Sequence, residues 1–219
     1  MNDRKILVFA GSAACFTGCV GDFISLFILG PAYPGYSQLY DTMSSLGSSL
    51  SPVSDIISVW WIFLGILMII FAFGFRAAYS TDGINAKTVF WLLILYGLGE
   101  GLGSGLFKAD RISGSYTTSF LVHDILGGAG VFALLILPIF TCKIKHLCQS
   151  PVFKWYSRIT IILGTFFLVL FSFRFIGNEN EFLVKYKGLW QRLFILVYYI
   201  YLLNVAYKMT RQTIIKKSE

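Results

Sequence analysis

Charge is scarce in this sequence: of 219 residues, 18 are Lys or Arg and 11 are Asp or Glu, or 13%. An ordinary soluble domain carries about 25%. Hydrophobic residues make up 56% and the mean hydropathy is +0.71, which excludes both a water-soluble domain and a disordered chain. There is no low-complexity tract and no Ser or Cys nucleophile motif. Only two histidines are present, and the four cysteines do not stand at zinc-site spacing. Cys142 and Cys148 enclose Lys143, Lys145 and His146 without a second ligand pair, and Cys15 and Cys19, one helical turn apart, read as small packing residues. No metal and no cofactor is assigned, and the chain reads as a membrane protein.

What is present is apolar length. A spanning helix needs about 20 apolar residues, since the hydrocarbon core is about 30 Å thick and a helical residue rises about 1.5 Å. Six stretches qualify: Ile6 to Leu29, Ile56 to Phe75, Thr88 to Phe107, Phe120 to Phe140, Ile159 to Ile176 and Leu189 to Lys208. Ser51 with Pro52 reads as the cap of the second, and Ser150-Pro151 as a turn leading into the fifth. The fold class is therefore all-α, a polytopic six-helix bundle in a single domain, 1–219. The longest connection, Gly30 to Asp55, is too short for a core of its own, but Ser37 to Leu46 suits an amphipathic helix ending at Gly47. Arg4 and Lys5 before an apolar run, with Ser12-Ala13-Ala14-Cys15, loosely mimic a lipoprotein signal. The run continues well past that Cys, as a retained span does. Helices one to three do not repeat in helices four to six.

Basic residues in short loops resist translocation and so set orientation. With an even number of spans, Arg4, Lys5, Arg76, Lys87, Lys143, Lys145, Lys154, Arg158, Lys208, Arg211, Lys216 and Lys217 share the side of the termini, 12 of the 18 Lys and Arg. Lys108, Arg111, Arg174, Lys185, Lys187 and Arg192 fall on the other side. Both termini are expected in the cytoplasm, with the chain in the inner membrane, and the net charge of +7 is a topology signal rather than a sign of nucleic-acid binding. The cytoplasmic setting also keeps Cys142 and Cys148 reduced. The acids are biased the opposite way. Asp3, Asp82 and Glu219 lie inside, whereas Asp22, Asp41, Asp55, Glu100, Asp110, Asp124, Glu179 and Glu181 lie in the outer loops or outer half-membrane. The closing Lys216-Lys217-Ser218-Glu219 has the form of a dilysine signal, but a basic helix end explains it better.

An ionisable side chain at mid-membrane costs about 2.5 to 3.5 kcal/mol and by default faces a protein interior. Glu100 sits within Gly97-Leu98-Gly99-Glu100-Gly101-Leu102-Gly103-Ser104-Gly105, where glycine on every side allows close helix contact and local unwinding. Asp22 ends the small-residue stripe Gly11, Cys15, Gly18, Cys19. His123 and Asp124 open the fourth span and point about 100° apart. Arg174 and Arg192 stand at similar depth, each suited to neutralise one of these acids. With Asp55, every span then contributes to a polar chamber open to the outer face. It is roofed by the first loop, where Tyr36, Asp41 and Ser45, with Asp110 of the third, are the expected outer contacts. The tyrosines of the last span, Tyr198, Tyr199, Tyr201 and Tyr207, read as packing and interfacial anchors.

Several short motifs resemble one family in matching order: Tyr33-Pro34-Gly35-Tyr36-Ser37, then Met43-Ser44-Ser45-Leu46-Gly47, Pro52, Gly105-Leu106-Phe107-Lys108-Ala109-Asp110, His123-Asp124 and Gly188-Leu189-Trp190-Gln191-Arg192. They are similar to bacterial six-helix membrane proteins known only as a domain of unknown function. That resemblance implies a six-helix bundle and no particular activity, and the chain departs from it at Phe107-Lys108, where Phe-Pro is expected. A looser resemblance to Frag1/DRAM/Sfk1-type membrane proteins is analogy of fold alone. Three functions fit. The chamber binds or transports a small solute or lipid headgroup, with Asp22 or Glu100 exchanging a proton. The chain is an accessory or sensory subunit of a membrane partner protein. Or it is an intramembrane hydrolase or transferase using His123 and nearby carboxylates. The expected partners are membrane lipid, a small-molecule or lipid ligand and, on the second reading, that partner protein.

Overall fold

A computed structural model describes residues 3–112, 115–178 and 180–215, of which 111, 112, 115, 116 and 215 are described by backbone alone. Glu179, Lys216, Lys217 and Glu219, used above in the charge tally, lie outside the described residues, as does the dilysine-like end. The described chain folds into seven helices: α1 (Asp3–Leu29), α2 (Ser54–Ala78), α3 (Gly83–Tyr96), α4 (Thr118–Thr141), α5 (Pro151–Ser172), the short α6 (Phe182–Lys185) and α7 (Lys187–Ile215). All but α6 are long and apolar enough to cross a membrane, six spans in all. α3 runs on through a π-helical segment, Gly97–Gly103, and a last turn, Ser104–Leu106. A two-residue antiparallel ladder, Arg111–Ile112 with Ser115–Tyr116, joins it to α4.

The helices outrun the apolar stretches because polar flanks continue the same backbone. Ser150 caps α5 as expected, its hydroxyl accepting from the Val152 N–H with Pro151 in the first turn. Two expectations at α2 and the first loop fail. Ser51 is not the cap of α2; its hydroxyl accepts from Val53 N–H at 3.3 Å, and the helix begins at Ser54. Nor is Ser37 to Leu46 a helix. The Asp41 carboxylate accepts from Ser37 N–H at 2.8 Å and Arg192 captures the Asp41 carbonyl, so only the 3₁₀ turn Met43–Gly47 remains helical. Gly35, at φ +81°, makes the preceding turn after Pro34, a geometry that a Cβ would strain.

Both ends of the described chain lie on one face. The Arg4 guanidinium donates to the carbonyls of Ala77 and Ala78 at the end of α2, and Thr210 of α7 donates to Ser12 of α1 at 2.7 Å. On the same face His146 Nδ1 lies 2.9 Å from the Asp82 carboxylate, and Gln212 donates to the His146 carbonyl. The cysteines there are free thiols, and burial followed by the neighbouring Cys142 pushes Cys148 up to about 11.

Small residues set the spacing of the spans. The stripe Gly11, Cys15, Gly18, Cys19, Asp22 is buried, and a Cβ on Gly11 would stand 2.8 Å from the Gly74 Cα of α2. Near the chain-end face, α4, α5 and α7 close around Tyr201. Its hydroxyl lies 2.6 Å from Thr141 Oγ1 and 2.8 Å from Ser157 Oγ, while Gly164 makes room for the ring of Tyr198.

Candidate functional site

The far half of the bundle is organised by the glycines of α3. A Cβ on Gly101 would stand 2.3 Å from the Gly65 Cα of α2, and one on Gly105 would stand 2.7 Å from the Ser58 carbonyl oxygen. Two residues round the turn, a Cβ on Gly99 would stand 2.3 Å from the Leu126 carbonyl oxygen of α4. Backbone therefore meets backbone on two sides of α3. The expected unwinding takes the form of the wider π turn, a feature common at functional sites, and Glu100 is carried on it.

Glu100 faces a cavity of about 380 Å³. Asp22 from α1, Glu100 and Ser104 from α3, His123 and Asp124 from α4, Arg174 beyond α5, and Gln191 and Tyr199 from α7 all line it, and Met43 and Ser44 of the first loop lie above. Five of the seven groups expected in the chamber, Asp22, Glu100, His123, Asp124 and Arg174, thus line one cavity. Their partners differ. Asp22, only 1% exposed, accepts from Trp60 Nε1 at 3.0 Å and Tyr199 OH at 2.9 Å, and the Tyr199 hydroxyl also meets that of Tyr96 at 3.0 Å. His123 Nδ1 is 2.8 Å from the Phe107 carbonyl oxygen. Asp124 pairs with Arg174 at 3.2 Å, so the two neighbours on α4 do serve different elements. The guanidinium of Arg174 lies 4.0 Å and 4.4 Å from the ring centroids of Phe171 and Phe175, a cation–π sandwich. No group among the described residues hydrogen-bonds the Glu100 carboxyl.

A second cavity, of about 410 Å³, lies towards the first loop, lined by Tyr36, Asp41, Thr42, Ser45 and Lys187 among others. It shares Ser44, Asp124 and Arg174 with the first. The two cavities adjoin at these residues, a vestibule on the first-loop side and a chamber deeper in the bundle, with the Asp124–Arg174 pair common to both.

Three expected site residues stand elsewhere. Asp55 has a 91% exposed side chain and pairs with Lys108 at 2.8 Å, because it stands with the exposed Ile56 on the outward side of α2 while Ser54 and Ile57 take the inward side; α2 gives the chamber Trp61 and Leu64 instead. Arg192 neutralises no buried acid. It donates to Gln38 Oε1 and to the carbonyls of Asp41 and Gly188, each at 2.8 Å, and to the Tyr36 hydroxyl, so it anchors the roof. Asp110 staples the roof to the third loop, accepting from Ser49 N–H at 2.6 Å and Ser49 Oγ at 2.7 Å. Tyr36, held here, is pushed up to about 12 by burial, against the opposing pull of Arg192.

Trp60, Tyr96, Tyr199 and Gln191 were not among the expected site residues. Their one signal is that a buried indole N–H or phenol O–H requires an acceptor, and few acceptors lie at that depth.

The family described as "Protein of unknown function (DUF998)" matches residues 16–208. The chain belongs to the DUF998 family. The match takes in every chamber residue of this DUF998 protein, from Asp22 to Tyr199. No curated protein and no solved structure matches the chain, and no match links this DUF998 protein to Frag1/DRAM/Sfk1-type proteins.

Proposed function

We propose that this multi-pass membrane protein binds, and passes between its two compartments, a small polar solute or a lipid headgroup, with Glu100 as the group that exchanges charge with it. The observation that carries this reading is the Glu100 carboxyl itself. It lines the inner chamber on a π turn and has no hydrogen-bond partner among the described residues, whereas the neighbouring Asp22 has two. A carboxyl placed at such cost without a structural partner has its interaction reserved for something that arrives. The Asp124–Arg174 pair common to vestibule and chamber is a switchable barrier, since either member can trade its partner for a ligand of the same charge. Hydrolysis or group transfer is less well supported, because no Ser or Cys nucleophile motif accompanies His123. The charge bias between loops supports cytoplasmic termini in the inner membrane, which puts the vestibule on the outer face.

Infrared difference spectra of the purified protein in lipid, taken across a pH step and on exchange into D₂O, test this. The expected result is a carboxyl band that responds to both and is absent from Glu100→Gln. Identical difference spectra in wild type and Glu100→Gln would overturn it.

A further inference from the structure

We propose that the ligand comes from the membrane itself: the headgroup of a phospholipid bearing an ammonium group enters the chamber sideways, between α4 and α5, while its acyl chains stay outside. This rests on the reading of the chamber as a binding site and names its substrate class.

Among the residues lining the chamber, the exposed ones are Gly128 and Phe132 of α4 and Ser172 and Phe175 at the end of α5; the others are buried or half-buried. Phe132 is 58% exposed and Phe175 55%. The chamber therefore has a lateral mouth in the seam between two membrane spans. At about 1.5 Å per residue, Gly128 and Phe132 stand about 15 Å and 21 Å along α4 from Thr118, within hydrocarbon. Ser172 and Phe175 close the first-loop end of the antiparallel α5 span, so the mouth is a slit running from the end of the spans down into hydrocarbon. The surface beside the mouth is apolar and outward-facing, with Ile125 at 70% and Val169 at 53% exposed. A water-borne solute has the vestibule as its route and needs no such seam. A lipid needs one, because its headgroup must reach a polar site while its chains remain in the bilayer.

Charge selects the headgroup. Three acids, Asp22, Glu100 and Asp124, line the chamber against one guanidinium, Arg174, which pairs with Asp124, and among the described residues nothing hydrogen-bonds the Glu100 carboxyl. An ammonium answers Glu100, and Arg174, next to Phe175 at the rim, is placed for the phosphate that follows. A headgroup whose far end is uncharged, such as the glycerol of phosphatidylglycerol, brings Glu100 no counter-charge.

Native mass spectrometry of the full-length protein, released from nanodiscs of equal phosphatidylethanolamine and phosphatidylglycerol, is the test. The expected result is one retained phosphatidylethanolamine, favoured at least tenfold over phosphatidylglycerol. Gly128→Trp, placed where a Cβ meets nothing within 4 Å, should lower that retention about tenfold by filling the mouth. Phe175→Trp, on the opposite lip, should lower it too and stands in if the first variant does not fold. Equal retention of phosphatidylglycerol, or undiminished retention in the folded variants, overturns the proposal. If no lipid is retained while the Glu100 infrared band still responds, the lipid inference fails and the binding reading stands; if neither is seen, both fail.

Discussion

Between α4 and α5, the half of the bundle nearest the chain ends is closed around Tyr201, whereas the half nearest the first loop stands open around Glu100. In the closed half hydroxyls tie the helices together: Tyr201 reaches Thr141 and Ser157, and Tyr198 donates to the Leu135 carbonyl. In the open half the helices are held apart by a different device. Glycines press α3 against α2 and α4, whereas on the α5 side of α4 a Cβ on Gly128 would meet nothing within 4 Å. Close packing at one seam is what leaves room at the next, and the Glu100 carboxyl, with no hydrogen bond among the described residues, faces that room.

Substitutions on the two sides should separate this account from a uniformly packed bundle. The largest effect is expected from Gly101→Leu, whose Cβ would overlap the Gly65 backbone. Overpacking of this kind costs about 3 kcal/mol, which should appear as loss of folded, monodisperse protein on size-exclusion chromatography. Gly128→Leu, at the mouth, should change thermal stability in detergent by no more than about 0.5 kcal/mol. Equal damage from the two would mean that the seam is not open.

A smaller contrast lies within the chamber and at the closed seam. Asp22→Asn puts an amide donor against the Trp60 or Tyr199 donor, and Tyr201→Phe strips Thr141 and Ser157 of their shared partner. Each should cost about 1 kcal/mol, the scale of one interhelical hydrogen bond in a membrane. Glu100→Gln breaks no hydrogen bond and should leave thermal stability unchanged or slightly raised. A Glu100→Gln variant as damaged as Asp22→Asn would show that Glu100 is a structural acid after all.

The smallest effect concerns the roof. Tyr36 is raised above the ordinary tyrosine value of about 10 to about 12, with burial the main cause. A folded value above the unfolded one means that the neutral phenol is favoured by folding. Its contribution is whole below about pH 10 and is lost as pH rises towards 12. Ultraviolet titration should find one late tyrosine missing from Tyr36→Phe, and limited proteolysis of the first loop should accelerate over that same window in wild type only.

Much of this arrangement was legible in the residues because the membrane leaves ionisable groups so few places to go. Six apolar lengths fixed the spans, and depth along each span brought Asp22, Glu100, His123, Asp124 and Arg174 to one level, where a single cavity collects them. Depth says nothing of azimuth at a helix end. Asp55 and Arg192 stand near the right level but at terminal turns, where solvent or a loop can claim the side chain, and they turn to Lys108 and to the first loop. The loop misled for a related reason: Ser37 to Leu46 has helical patterning, but Arg192, 151 residues after Asp41, takes the carbonyl a helix would use. Tyr199 reads as packing in the sequence because its acceptor, Asp22, comes within reach only once α1 and α7 are side by side.

A cryo-electron microscopy map of the protein in phosphatidylethanolamine nanodiscs is the most direct single measurement. Density for a headgroup should lie between Glu100 and Arg174 and continue outward between Phe132 and Phe175 into the bilayer. A map in which α4 and α5 meet along their whole length, with Glu100 bonded to a neighbouring side chain and nothing between them, would contradict the account.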